Sequence, residues 1–287
     1  MFFKKKLIVN NSDIIYKHLK PLQKYNLTIK KRLIDATQSE IENFKEETKE
    51  FFSMNFNNLE HNTKYIVRED FERMKELFEN KDDLDDQTIR EFLKGNYKPM
   101  NMYDIEVKLD EHHSASSING YMTIDAAYYL GDITLSLRDL SGLKQGYIHE
   151  LTHILVNNMK ANIFDEPNEE LLSVFLEYLS MEEDSEFFYK SEANRWSDIT
   201  YGKFNKNTKE YNYYYTANIY SVYLYYLYRN MNLSQKRILL NNIEQVLNGK
   251  RSIRDFRQLY NLHFYNDDIL NPILSSIDRS KQYIRKR

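Results

Sequence analysis

The spacing of hydrophobic residues along the chain changes character twice. Residues 5–10 form a short apolar run that predicts a strand, and Ser12 or Asp13 then caps a helix with Ile14, Ile15, Leu19 and Leu22 on one side, where Pro21 is placed to interrupt it. From about Ser39 to Phe56 the residues Ile41, Phe44, Phe51 and Phe52 recur at helical spacing among Glu and Lys, and Tyr65 to Phe78 repeats the pattern. The first hundred residues are therefore expected to be mainly helical. Lys81 to Asp86 is an acidic turn without the calcium-loop pattern of an EF-hand. The period then drops to two: Ile105, Val107 and Leu109 alternate with polar residues, as do Ile133, Leu135 and Leu137, which is how half-buried strands read. Ile118 to Asp125 offers another strand, with Gly120 at a turn or bulge. After Ser141 the helical period returns, and helices are expected near 143–160, 167–181, 211–231, 233–248 and 250–260.

Composition supports the helical reading, because 287 residues contain only seven Gly and four Pro, the residues that punctuate regular structure. Aromatic residues at 14% and charged residues at 29% describe a globular chain with tyrosine in and around its core. A net charge of -3, with basic runs that are short and locally offset, implies no nucleic-acid partner. The absence of cysteine excludes disulfides, thiolate catalysis and thiolate zinc sites, so any metal is left to His, Asp or Glu. The apolar run Leu7 to Val9 is too short for a signal peptide or a membrane span, and a cytoplasmic location is the default expectation.

The chemistry is concentrated in Tyr147-Ile148-His149-Glu150-Leu151-Thr152-His153, which contains the pattern HExxH inside an apolar helical segment. Two histidines four positions apart lie one turn from each other on one helix face, so both imidazoles reach one Zn²⁺, and the glutamate between them stands beside the open coordination position. A site of this type needs a third protein ligand. The next expected helix, opened by Pro167 at its first turn, offers Glu170, with the adjacent Glu169 as the alternative. His112 and His113 are adjacent and point apart, His18, His61 and His263 are isolated, and Trp196 reads as a core residue. Neither a Gly-rich phosphate loop nor a G-x-S-x-G elbow is present.

These residues resemble the gluzincin zinc peptidases and their peptidase MA-like part, in which HExxH is followed some residues later by a Glu in an N-E-x-x-[AS] type context. Asn168, Glu169, Glu170 and Ser173 approximate that context. The resemblance spans about residues 100–230 and implies a zincin-type fold. It also implies that Asp132 to Arg138 is an edge strand that holds extended substrate, and that a tyrosine donates to the oxyanion. Tyr214 or Tyr215 stands where that tyrosine is expected, although the Lys and Gly of the family's Tyr-x-Lys-Gly pattern are missing here.

The expectation is thus an α+β, mostly helical protein with a small twisted sheet preceding the active-site helix and a helical C-terminal half. Residues 1–100 would form a helical N-terminal region and 101–287 a catalytic region, or the two together one domain. The expected function is zinc-dependent hydrolysis of peptide bonds in a peptide or protein substrate, with His149, His153 and Glu170 holding Zn²⁺ and Glu150 as the base. Two other readings stay open at this point: a non-enzymatic helical binding protein with an accidental or structural zinc site, and a zinc hydrolase acting on a non-peptide amide.

Overall fold

The computed structural model of the chain describes residues 11–20, 38–65, 98–104, 107–110, 133–136, 143–159, 166–201 and 209–285. In chain order these form α1 (Asn11–Leu19), α2 (Gln38–Asn55), β1 (Asn62–Tyr65), β2 (Lys98–Asn101), β3 (Val107–Asp110) and β4 (Ile133–Ser136). The helices α3 (Leu143–Met159), α4 (Glu166–Leu179), α5 (Glu186–Tyr201), α6 (Lys209–Asn230), α7 (Leu233–Leu247), α8 (Ile253–Leu259) and α9 (Leu270–Arg285) follow. Single 3₁₀ turns occupy Met102–Asp104 and Asp267–Ile269.

Two helices are apolar on most of their circumference, and both lie inside. On α3 the apolar stripe Tyr147, Ile148, Leu151, Ile154 and Leu155 is joined by buried Glu150, Thr152, His153 and Val156, so that burial runs round the helix. Such a helix has to be covered on several sides, and α3 packs against α2, α4, α7, β1 and β4. Helix α6 buries Ile219, Tyr220, Val222, Tyr223 and Leu224 and packs on α4, α5 and α9. By contrast α9 is one-sided: Ile273, Ile277 and Ile284 are buried while Ser275, Asp278 and Gln282 face water, and that stripe closes the bundle over α5 and α1.

Several polar atoms inside this core are paired between helices. The Ser221 hydroxyl of α6 donates to the Leu171 carbonyl of α4 at 2.8 Å. The indole N–H of Trp196 on α5 donates to Ser276 Oγ of α9 at 2.8 Å, and Ser276 donates in turn to Glu192 Oε1 at 2.6 Å. Behind α2, the backbone N–H of Asn58 donates to Glu244 Oε2 at 2.9 Å. The Asn248 side chain accepts from Glu60 N–H and donates to the Asn58 carbonyl, each at 2.8 Å, which ties this turn to the end of α7.

The expected small twisted sheet in front of the 143–159 helix is not what the structure holds. The described residues are mostly helical, and their extended segments make two separate two-stranded ladders of four residue pairs each. One is antiparallel (β1 with β2, Asn62 opposite Asn101) and the other parallel (β3 with β4, Val107 opposite Ile133). Ladders this short and narrow build no layer on which a sheet-based, zincin-type architecture could rest. The core is helical instead. Tyr65, read as the start of a helix, closes β1, and the helices α5 and α9 were not anticipated. Residues 5–10, 66–78, 81–86 and 118–125, and Pro21 and Leu22, lie outside the described residues. Among the described residues no helix is long and apolar enough to cross a membrane.

Helix α7 opens with a reciprocal cap in which the Asn232 side chain accepts from Gln235 N–H and the Gln235 side chain accepts from Asn232 N–H. Asn232→Ala is expected to cost about 1 kcal/mol, whereas Trp196→Ala, which empties the α5–α9 interface, costs about 3–5 kcal/mol. Urea denaturation of the three proteins measures both, and a reversed order would contradict the packing described.

Candidate metal centre

Helix α3 carries His149 and His153 one turn apart on the face turned toward α4. Their ring centroids are 4.9 Å apart and the two Nε2 atoms face each other at 3.2 Å. Glu170, near the start of α4 and buried, reaches both: Oε2 lies 3.4 Å from His149 Nε2 and Oε1 lies 3.4 Å from His153 Nε2. One donor atom from each of the three residues falls within 4.8 Å of the others. Glu150, between the histidines in sequence, is buried at 5% exposure. Glu169 is on the same helix, but its side chain lies outside what the structure describes. Helical geometry sets position 169 about 100° round the axis from position 170.

The electrostatics follow from enclosing these groups together. Burial alone would lower the pKa of His149, but the Glu170 carboxylate, hydrogen bonds with Glu170 and Glu177, and the charge of Glu150 reverse that and raise it to about 10. Burial would raise Glu170, yet the facing charges of His149 and His153 hold it well below the ordinary carboxylate range. The protein alone therefore offsets the charge of Glu170 by placing imidazoles against it.

The same donor set suits zinc. In a tetrahedral site with bonds of about 2.0–2.1 Å, neighbouring donors stand about 3.3–3.4 Å apart, close to the 3.2 and 3.4 Å separations found here. Two imidazole nitrogens and a carboxylate are ligands that zinc accepts, and three protein donors leave the fourth position that catalytic zinc sites keep open.

A further carboxylate went unnoticed in the sequence. Glu177 Oε2 stands 3.2 Å from His149 Nδ1, within hydrogen-bond distance, and is itself held by the guanidinium of Arg195 from α5. Burial would raise Glu177, but Arg195 first and His149 after it lower it. With its second proton displaced by a metal, His149 donating Nδ1–H to this ionised carboxylate would turn its Nε2 lone pair toward Glu170 and His153, the arrangement in which histidine binds metal. The available signal was register: Glu177 follows Glu170 by seven positions, two turns along the same face of α4.

Tyr215 is buried with its ring stacked on Phe264 at 6.1 Å, and the side chain of Tyr214 lies outside what the structure describes. His18 pairs with Asp278 at 2.8 Å, the His61 ring lies 5.6 Å from that of Tyr103, and His112 and His113 are outside the described residues.

Comparison with protein-family models, curated proteins and solved structures finds no match for this chain. The reading of the site therefore rests on its own geometry and on the motif.

Glu177→Gln keeps the shape of the side chain and removes the charge behind His149. It is expected to weaken zinc binding by about 10–100-fold with the helical circular-dichroism spectrum retained. Competition against a chromophoric chelator measures this, and unchanged affinity would take Glu177 out of the site.

Proposed function

We propose that the chain is a zinc-dependent peptidase of the HExxH type, similar in its site to the gluzincin group, with His149, His153 and Glu170 as ligands and Glu150 as general base. One observation carries this reading. Two imidazoles from α3 and one carboxylate from α4 converge with donor spacings that suit zinc, and Glu150 is buried beside them on the helix that bears both histidines. That the carboxylate reaching both rings comes from another helix supports a metal site over an accidental pair of histidines.

When bound, zinc supplies a Lewis acid that polarises the scissile carbonyl and makes a neighbouring water more acidic. The protein's own groups account for the rest. Glu170 and the two histidines fix the position at which the carbonyl is attacked, and Glu177, held by Arg195, keeps His149 in register. Glu150 removes a proton from the attacking water and later delivers it to the departing amine. In balance, the C–N bond breaks, the acyl carbon gains the hydroxyl and the amine gains the proton. A hydroxyl donor to the oxyanion, assigned to Tyr214 or Tyr215, rests on the resemblance alone. The proposed substrate is a peptide or protein.

Metal content by inductively coupled plasma mass spectrometry, on wild type and His153→Ala purified without added metal, is the first test. Zinc near one equivalent in wild type and little in the variant is expected; zinc in neither protein, with no tight uptake on titration, overturns the reading. The second test is Glu150→Gln against a peptide library. Zinc content should be unchanged and turnover lower by about 10²–10⁴-fold, and a variant with wild-type turnover would remove Glu150 from its role.

A further inference from the structure

Helices α5, α6 and α9 line a cavity of about 540 Å³, within the size range of sites for small organic ligands. None of His149, His153, Glu150 or Glu170 lines it. Its floor is apolar and buried, made by Phe188, Val222, Tyr225 and Pro272, with the Phe188 and Tyr225 rings 5.5 Å apart. Two arginines line its wall, and they are engaged in different ways. Arg279 is engaged at all three nitrogens: Nε and Nη2 donate to the buried carboxylate of Glu192 at 3.3 and 2.9 Å, and Nη1 donates to Ser275 Oγ at 3.2 Å.

Arg229 is held by Glu183 and, at 3.6 Å, by Asp184, whose side chains are 49% and 57% exposed. Exposed ion pairs contribute little net stability, and both acids sit on the turn between α4 and α5, where they regain water on release. A carboxylate arriving on an apolar carrier can replace them, because its carrier covers the aromatic floor and shields the new pair from solvent. The exposed side chains of Asn230 and Asn271, also lining the cavity, supply amide donors and acceptors to a ligand that carries an amide.

From this we infer that the cavity is a binding site for a small apolar carboxylate, of the kind presented by an N-acylated aromatic amino acid or by the last residue of a peptide. Arg229 takes the carboxylate, Phe188, Val222, Tyr225 and Pro272 take the apolar group, and Arg279 stays with Glu192. The site does not depend on the metal.

Isothermal titration of metal-free full-length chain with N-acetyl-L-phenylalanine, and with its primary amide as neutral isostere, tests this without an ion to capture the carboxylate. The acid is expected to bind about tenfold more tightly than the amide, and Arg229→Gln should abolish that preference. Asn271→Trp, an exposed position lining the cavity, should abolish binding of both and serves as the second variant should Arg229→Gln fold poorly. A tripeptide ending in phenylalanine binding as well as the acid would point to a peptide end as the natural ligand, and its failure to bind would point to a free acylamino acid. No saturable binding of the acid at millimolar concentration, equal binding of acid and amide, or binding unaffected by Asn271→Trp overturns the proposal.

Discussion

A carboxylate buried in an apolar helical interface has to be neutralised where it stands, and Glu170 meets that requirement because α3 delivers two imidazoles to it. The rest of the centre follows from this. Neutralisation fixes the register of α3 against α4, and that register carries Glu177, two turns along α4, up to the far nitrogen of His149. Glu177, largely enclosed, is a second negative charge that needs a cation of its own, which α5 provides as Arg195. Charge compensation thus runs from α3 through α4 to α5, and the helices that carry it are packed by the largest apolar side chains of the core.

How readily each part could be read in the sequence depended on how local its cause was. The histidine pair needs only the 3.6-residue helical period, and Glu170 needs only the next helix to begin at Glu166 rather than far downstream. Glu177 escaped notice because its partner is across an interface and its own neighbours in sequence do not mark it. Helix α5 was missed for a related reason. Its apolar Phe188, Ala193 and Trp196 are interrupted by Glu192 and Arg195, whose places make sense only through Arg279, Ser276 and Glu177 on other helices. The stripe Ile273, Ile277 and Ile284 on α9 was present in the letters and went unused. The alternating segments at 107–110 and 133–136 are extended, but alternation reports which residues share a face and not how many strands join, so it suggested a sheet where the described residues form two separate ladders.

Among the described residues tyrosine, the most conspicuous feature of the composition, serves mainly to build the core and its rim. Tyr147, Tyr178, Tyr215, Tyr220, Tyr223 and Tyr225 are all buried, and Tyr178, Phe188 and Tyr225 form one aromatic group. Burial raises the hydroxyl of Tyr225 to about 12 and pushes those of Tyr147 and Tyr178 further up, so these phenols stay protonated and serve as packing. With so many tyrosines occupied in this way, position in the sequence alone says little about which one faces chemistry.

The chain has 24 tyrosines and a single tryptophan. Trp196 is fully buried, with its N–H spent on Ser276 at the seam between α5 and α9. Excitation absorbed by the tyrosines therefore has one indole acceptor, located at a seam that α3 and its histidines do not form. The emission colour of that indole is a built-in optical gauge of whether α9 is docked on α5, one that can be read while other parts of the bundle are being altered.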